Sequence, residues 1–246
     1  MTRALFDHVA IGTRTLSDGW QLFGGLLGGT WVYGGDSPGF WWGQLRFSSG
    51  PKIELLTPTG EAAGAFLERF LSSRGPGPHH LTFIVADLSQ TLSDVRDSGI
   101  EPVGVDMSRA DWKEAFLHPR DAYGIVVQLA EQSASPHLAP PAELPEPGPS
   151  SAFEQVEHEV TDISGATKLF TELLDAELVA APGHEDHHAA ELIWSDAARL
   201  RLVERVGNPR THLHFARLST DFGTSELSRA ADLAERLGTS VHLRDN

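Results

Sequence analysis

The chain repeats one order of strand and helix signals, and this repeat limits the folds open to it more than any other feature. Residues 6–56 read as a strand, a helix and three short strands. After a helical pattern over residues 62–71, the same order returns over residues 80–129. Apolar alternation indicates strands, and apolar spacing of three and four residues indicates helices. Because the two copies agree in both order and type of element, the sequence predicts two βαβββ modules.

A further copy begins near residue 156 and is incomplete. The LFGGLL core of the first helix (residues 22–27) returns as LFTELL (residues 169–174), and HLTF (residues 80–83) returns as HLHF (residues 212–215). The chain ends just after the next strand signal. We therefore expect this copy to be short by about two strands, judged against typical strand lengths.

Proline separates the complete copies from the incomplete one. Residues 136–149 read PHLAPPAELPEPGP, with six prolines in fourteen residues, which neither a helix nor a central strand tolerates. We predict a complete domain over residues 1–132, a proline-rich linker over 133–151, and a truncated second domain over 152–246. The predicted fold class is α+β, in which paired modules form a cup-shaped eight-stranded sheet. The N-terminal domain, the linker or a second subunit of a homodimer is expected to cover the edge left by the missing strands.

Charge and composition exclude several classes of function. The chain has 34 acidic and 19 basic residues, and its net charge of −15 repels phosphate backbones and anionic lipids. We therefore expect a small-molecule substrate and no nucleic-acid or membrane partner. No apolar run is long enough to span a membrane, and the N-terminus does not resemble a signal peptide, which favours a cytoplasmic location. The absence of cysteine excludes thiolate metal ligands and a cysteine nucleophile.

Four polar residues interrupt apolar strands at corresponding places in the two modules: His8 and Glu54 in the first, and His80 and Gln128 in the second. An unpartnered polar group in such a strand costs roughly 1–3 kcal/mol, so four of them suggest a common partner. Imidazole nitrogens with a carboxylate and an amide oxygen suit a divalent first-row metal ion. The alternative is that strand alternation turns each of these side chains toward solvent.

The stretches around these residues resemble a known family. FDHVAIGT, KIELLTPTG, GPHHLTFIVADL and HPRDAYGIVVQLAEQ are similar to the vicinal oxygen chelate superfamily, also called the glyoxalase/bleomycin resistance/dioxygenase superfamily, and most of all to its methylmalonyl-CoA epimerase and glyoxalase I-like members. The resemblance implies one divalent metal ion (Zn, Ni, Co, Mn or Fe) with His8, Glu54, His80 and Gln128 as ligands. It also implies an epimerase, isomerase or lyase that acts on a small carbonyl or carboxylate substrate through a metal-stabilised enolate. Glu54 and Gln128 are then the candidate catalytic residues.

The sequence departs from the family pattern at two places. Epimerase-like members carry Gln in the first module and Glu in the second, which is the reverse of Glu54 and Gln128, and glyoxalase I members usually carry Glu at both. The epimerases also place a catalytic Glu on the strand that precedes the first-module ligand, where Gly43 or Gln44 falls here. Two alternatives therefore stay open. One is a non-catalytic protein that binds a small molecule or an antibiotic, and the other is a ferrous dioxygenase that uses two histidines and one carboxylate.

Trp41, Gln44 and Trp112 are candidates for binding the substrate. Trp41 and Trp42 are adjacent in a predicted strand, so only one of them can face the cup. Aromatic side chains in that position would line an apolar pocket.

The incomplete copy is expected to hold no metal ion. In our alignment His158 and His212 occupy the positions of the two ligand histidines, but Arg201 falls where the first-module carboxylate lies. A cation at that place would repel a metal ion.

Overall fold

The structure is a computed structural model that describes residues 4–60, 65–133, 139–179, 188–195, 197–217 and 223–245, so the linker residues 134–138 lie outside the described part. The first module has a strand, a short helix that continues as a π-helix over Trp20–Leu26, and three further strands. A connecting helix leads into the second module. The elements are β1 (Ala4–Gly12), α1 (Leu16–Gly19), β2 (Thr30–Ser37), β3 (Phe40–Arg46), β4 (Lys52–Pro58), α2 (Ala65–Arg74), β5 (Gly77–Val85), α3 (Leu88–Asp97), β6 (Val103–Asp106), β7 (Trp112–Leu117) and β8 (Val126–Gln132).

The part of the chain that follows the linker repeats this order with fewer strands. A strand of three residues, β10, was not predicted, because so short a segment shows no alternation. The elements are β9 (Ser151–Val160), α4 (Ile163–Glu172), β10 (Glu177–Val179), β11 (Ala189–Ile193), β12 (Arg199–Glu204), β13 (Thr211–Arg217), α5 (Thr224–Arg236) and β14 (Ser240–Asp245).

The strands form two sheets. The first has eight strands in the order β2-β3-β4-β1-β5-β8-β7-β6, and the second has six in the order β10-β11-β12-β9-β13-β14. The first strand of each module runs parallel to its last, as in β1 with β4 and β5 with β8. In the second sheet the corresponding parallel pairs are β9 with β12 and β13 with β14. The predicted α+β class is therefore confirmed, with an eight-stranded sheet from two βαβββ modules and a second copy that is two strands short.

The same local chemistry starts the helix of the second and third modules. Asp87 and Asp162 are the N-cap residues of α3 and α4, and each side chain accepts a hydrogen bond of 2.9 Å from a backbone N–H of the first turn. Glu131 and Glu204, at the ends of the last strands of these modules, accept from the first helical N–H at 2.9 and 3.3 Å. The second and third modules therefore share the same capping contacts, and these contacts show which residues of the two modules correspond.

Contacts divide the chain into two compact units. The first unit comprises Met1–Asp7, His80–Ser135 and Gln155–Thr211, and the second comprises His8–His79, Pro136–Glu154 and His212–Asn246. Each unit therefore takes segments from both sides of the linker. The predicted division into domains over residues 1–132 and 152–246 stays a prediction.

Each unit has its own aromatic core. In the first unit Phe6 stacks on Phe83 with ring centroids 5.0 Å apart, and Trp194 lies 5.2 Å from Phe83. In the second unit Phe153 stacks on Phe215 at 4.4 Å, and the ring of Phe47 lies 4.9 Å from that of Phe215. Aromatic side chains from before and after the linker therefore share each core.

In the second unit the described part of the linker packs on the glycine-rich helix that follows α1. The backbone N–H of Gly148 donates to the carbonyl of Gly24 at 3.4 Å. A Cβ on Gly148 would collide with the carbonyl oxygen of Gly25, and one on Gly24 would lie 3.0 Å from the Leu144 side chain. The glycines of this helix therefore allow the close approach of the linker.

Candidate metal centre

Two histidines and one carboxylate come together on the first sheet. His8 (β1), Glu54 (β4) and His80 (β5) are all buried, and each offers a ligand atom within 4.8 Å of the others. Nε2 of His8 lies 3.6 Å from Oε1 of Glu54. Within the described ranges, this is the one group of three such side chains arranged in this way. Buried nitrogen and oxygen donors at this spacing suit a divalent first-row metal ion.

Strand register explains why these side chains share a face. Glu54 pairs with the residue two positions beyond His8 on the parallel strand β1. In the second module Gln128 pairs with Thr82, which lies two positions beyond His80 on β5. Because side chains alternate along a strand, residues two apart point to the same side. We call the side of the first sheet that carries His8, Glu54 and His80 the ligand face.

Gln44 on β3 contacts two of the three candidate ligands. It pairs with Glu54 in register and is 1% exposed. Its Nε2 donates to Oε2 of Glu54 at 2.7 Å and lies 3.3 Å from Nδ1 of His8. The structure thus decides between Gly43 and Gln44, and the β3 residue beside the candidate ligands is an amide that cannot take up a proton.

Gln128 makes hydrogen bonds through both atoms of its amide. Its Oε1 accepts from the hydroxyl of Thr82 at 2.6 Å, and its Nε2 donates to Oε2 of Glu114 at 2.8 Å. The indole N–H of Trp112 donates to the same Glu114 oxygen at 2.8 Å. Sequence reasoning missed Glu114, although alternation along β7 places it on the same side as Trp112. The roles of Gln128 as fourth ligand and of Trp112 in substrate binding stay predictions.

Trp41 packs away from the ligand face. Its ring lies 5.6 Å from that of Trp20 and 6.2 Å from that of Trp31, and alternation along β3 places it opposite Gln44. Trp42 shares the side of Gln44, and its ring lies 5.3 Å from that of Tyr33. The substrate-binding role of Trp41 stays a prediction, and these contacts favour Trp42 instead.

Two further titratable groups lie close to the candidate ligands. His79 packs against the rings of Phe66 and Phe70 on α2, at 5.6 and 4.8 Å. Burial lowers the pKa of His79 to about 4, and the negative charge of Glu54 offsets this only in part, so the ring is neutral at pH 7. Lys52 is 8% exposed, and its ammonium group lies 5.4 Å from the centre of the Tyr33 ring.

The second sheet replaces the candidate carboxylate by a guanidinium group. Gln155 on β9 stands as far before the N-cap Asp162 as the candidate ligand His80 stands before the N-cap Asp87, so Gln155 corresponds to the candidate ligand histidine. Arg201 on β12 pairs with Glu157, two positions beyond Gln155. The predicted place of Arg201 is therefore correct, but that of His158 is wrong. Arg201 lies 3.5 Å from a carboxylate oxygen of Glu157 and 3.4 Å from one of Glu191. These ion pairs occupy the position where the first sheet has Glu54.

Both ring nitrogens of His158 make structural contacts. Nε2 lies 3.0 Å from the carbonyl oxygen of Tyr123, and Nδ1 lies 2.9 Å from the hydroxyl of Thr211. Tyr123 has a positive φ of 57°, and the contact with His158 helps to hold this conformation. The sequence alignment failed at this place because VEHEV resembles the segment around His8 in residue type. In the structure the corresponding residue is Gln155, which lies three positions before His158.

Comparison with known proteins supports the fold and the family. Residues 7–116 match the family described as the glyoxalase/bleomycin resistance protein/dioxygenase superfamily. The resemblance found in the sequence is therefore confirmed for these residues. The uncharacterized protein YqjC of Bacillus subtilis (strain 168) is 26% identical over 134 residues, which are 53% of this chain and 94% of YqjC.

Solved structures are similar over the whole chain or over part of it. A hypothetical protein from Staphylococcus aureus is 14% identical with a TM-score of 0.64 and covers 100% of both chains, so it shares the fold. Methylmalonyl-CoA epimerase from Mycobacterium tuberculosis is 27% identical with a TM-score of 0.47, covering 52% of this chain and 88% of that one. In the described part of the chain, no helix is both long and apolar enough to cross a membrane.

Proposed function

We propose that this protein is a metal-dependent enzyme that acts on a small substrate bearing carbonyl or carboxylate oxygens, through an enolate. The observation that carries the proposal is the buried group of His8, Glu54 and His80. Two imidazoles and one carboxylate fit a divalent ion chemically, and Gln128 on the same side of the sheet is the proposed fourth ligand. The reaction is of the epimerase, isomerase or lyase type.

The charges around the site favour an anionic substrate. A divalent ion at this place supplies Lewis-acid stabilisation of negative charge on the substrate oxygens. Glu54 is the one carboxylate of the three-residue group, and the buried ammonium group of Lys52 stands two positions before it on β4. Trp42 and Tyr33 add apolar surface that excludes water from this part of the sheet.

Glu54 is the proposed proton acceptor. Gln44 holds Oε2 of Glu54 by an N–H hydrogen bond of 2.7 Å, and Oε1, which lies 3.6 Å from Nε2 of His8, is the proposed acceptor of the substrate proton. The amide of Gln44 accepts hydrogen bonds but is too weakly basic to take up the proton itself. One carboxylate therefore serves both to bind the metal ion and to move the proton.

Glu54→Gln tests the proposal. The variant keeps an oxygen ligand but loses the charge and the basic oxygen, so metal is retained while solvent-deuterium exchange at the acidic carbon of the substrate falls at least roughly 10²-fold. Exchange is followed by mass spectrometry on a panel of small 2-oxo acids and malonyl-type acids and thioesters. Glu101→Gln, which changes an exposed carboxylate, is the matched control. Unchanged exchange in Glu54→Gln would remove Glu54 from the mechanism.

The ligand set also supports a ferrous dioxygenase as a second candidate. Two histidines and one carboxylate are the donors of non-haem Fe(II) oxygenases, and the structure brings these three together. Oxygen consumption by the Fe(II)-loaded protein with catecholic substrates would favour this candidate, and its absence with every substrate would favour the enolate reaction.

A non-catalytic binding protein is the third candidate, and the amide at position 44 favours it. A site built for proton transfer gains from a carboxylate there, whereas a site built only to bind a ligand does not. Metal analysis of the purified protein separates these classes, because a protein with no bound or bindable metal would have to act by binding its ligand without metal-assisted chemistry.

A further inference from the structure

One buried oxygen at the candidate metal centre is unsatisfied. Oε1 of Gln44 has no hydrogen-bond partner in the described part of the chain, although the residue is 1% exposed. A buried acceptor without a partner is unfavourable and rare in native proteins, so it calls for an explanation. Nε2 of the same amide contacts both Glu54 and His8. The unsatisfied atom is therefore directly attached to the group that joins two candidate ligands.

The proton on His8 explains why this oxygen is needed. Because an amide nitrogen can only donate, a hydrogen bond between Nε2 of Gln44 and Nδ1 of His8 places the proton of a neutral imidazole on Nε2. A histidine that binds a metal ion through Nε2 carries its proton on Nδ1 and donates it to an acceptor. Metal binding by His8 through the nitrogen nearest Glu54 therefore requires an acceptor at Nδ1, and Gln44 stands at that position, 3.3 Å away.

We propose that Gln44 is a positioning residue that sets the tautomer of His8. When Nε2 of His8 binds the metal ion, Oε1 of Gln44 accepts the Nδ1–H of His8, and Nε2 of Gln44 keeps its hydrogen bond to Glu54. The terminal torsion of a glutamine side chain is soft, so a rotation of the amide makes this exchange without moving β3. The inference rests on the metal site of the proposed function.

The amide is the chemical group that this position requires. Its neighbours are an acceptor on one side, the Glu54 carboxylate, and a donor on the other, the Nδ1–H of a metal-binding His8. A carboxylate at residue 44 would accept from His8 but would face Glu54 Oε2 at the 2.7 Å that now separates it from the amide nitrogen, and two charged oxygens repel at that distance. An apolar side chain would serve neither neighbour. Gln44 therefore orients two of the three candidate ligands.

Zn²⁺ titration of wild type and Gln44→Leu tests the inference. Competition with a chromophoric chelator should show a Zn²⁺ affinity roughly 10–100-fold lower in Gln44→Leu, the usual effect of losing the partner of a ligand histidine. Gln90→Leu is the matched control, because its exposed amide donates to Asp94 on its own helix, and its affinity should equal that of wild type. Equal affinity in wild type and Gln44→Leu would overturn the inference.

A measurement on the wild-type protein does not depend on the folding of any variant. In Zn²⁺-loaded protein labelled with ¹⁵N-histidine, the His8 ring should show a protonated Nδ1 and a metal-bound Nε2, assigned by comparison with His8→Ala. An unprotonated Nδ1 in the loaded protein would contradict the proposed role of Gln44. Failure of wild type to bind Zn²⁺ or any other divalent ion is a different result, because it would overturn the proposed function itself.

Discussion

At the scale of single residues, the candidate site contains two hydrogen-bonded pairs of an amide and a carboxylate. In the first module the amide is on the third strand and the carboxylate on the fourth, as Gln44 and Glu54. In the second module the order is exchanged, with Glu114 on β7 and Gln128 on β8. Each carboxylate accepts from its amide and so fixes which amide atom faces it. The chemistry of each module thus depends on a hydrogen-bonded amide and carboxylate together, and not on one residue.

Removal of a ligand histidine should abolish tight metal binding. His8→Ala or His80→Ala deletes one of the proposed inner-sphere donors, so the affinity for a divalent ion should fall by at least about 10²-fold. His158→Ala, which changes a histidine of the second copy, is the control. One ring nitrogen of His158 contacts the hydroxyl of Thr211 and the other contacts the carbonyl of Tyr123. Isothermal titration with Zn²⁺ and Co²⁺ measures the effect. Equal metal stoichiometry in wild type and the His8/His80 double variant would contradict the site.

At the scale of elements, helix α2 determines the environment of His79 at the start of β5. Phe66 and Phe70 on the helix enclose the ring and remove water from it. Desolvation disfavours the charged imidazolium and is the largest cause of the lowered pKa. The packing of one helix therefore couples the stability of this part of the protein to pH.

The free energy of unfolding should decrease as the pH is lowered, partly because of His79. Its pKa of about 4 in the folded protein lies below the ordinary value of about 6.5, so between these values the unfolded chain binds the proton and the folded one does not. The contribution is complete above about pH 6.5 and is lost as the pH falls toward 4. Urea denaturation at several pH values should show a smaller loss in His79→Leu than in wild type. An equal loss of stability in His79→Leu and wild type would contradict this contribution of His79.

The loop between β3 and β4 is joined to the start of β9 within the second unit. Ser48 N–H donates to the Ser151 carbonyl, and Phe153 N–H donates to the Ser49 carbonyl, both at 3.1 Å. Gly50 has a φ of 81°, and a Cβ on it would collide with the carbonyl oxygen of Phe153. The glycine therefore allows this contact in two ways, by its conformation and by its lack of a side chain.

Gly50→Ala should destabilise the protein far more than Gly60→Ala. Gly60 has a similar φ of 86° but has nothing within 4 Å of its added Cβ among the described residues, so Gly60→Ala measures the backbone strain, about 1 kcal/mol. Gly50→Ala adds the collision with Phe153 and should cost at least about 2 kcal/mol more. Urea midpoints of the two variants and wild type give the comparison. A cost for Gly50→Ala no larger than that for Gly60→Ala would show that the loop and β9 are not in contact.

At the scale of the whole molecule, both halves of the sequence contribute aromatic side chains to both cores. Each compact unit contains segments from before and after the linker. Phe170 and Trp194 belong to the unit that contains Phe83, and Phe215 belongs to the unit that contains Phe47. The later half of the chain, which has no metal group among its described residues, therefore completes the apolar cores of both units.

A chain truncated after residue 132 should be unstable. It would expose Phe47 and Phe83, which in the full chain pack against Phe215 and Trp194. Loss of such aromatic contacts costs several kcal/mol each, about 3–5 for a buried Phe or Trp side chain. We expect the truncated chain to bind a hydrophobic dye, to aggregate and to unfold at a lower urea concentration than the full chain. A cooperative unfolding transition at the midpoint of the full chain would instead support an independent domain over residues 1–132.

The order of strands and helices could be predicted because it depends on local patterns. Alternation, helical spacing and turn residues lie within one element and repeat between modules, so the βαβββ order and the helix over Leu88–Asp97 could be read directly. The strand positions of His8, Glu54 and His80 followed from the same patterns. The strand β10 was missed because three residues carry no pattern.

The sequence by itself determined the repeat, the fold class and three side chains that meet on one sheet. Only the tertiary structure decided that Gln44 and not Gly43 faces them, that Trp41 packs on the opposite side, and that Gln155 replaces His158 in the second copy. The reason is register. A shift of one residue in strand pairing turns every side chain to the other face, and pairing joins segments that are far apart in sequence. Strand register therefore determines which polar atoms are in contact, and so which chemistry they can perform.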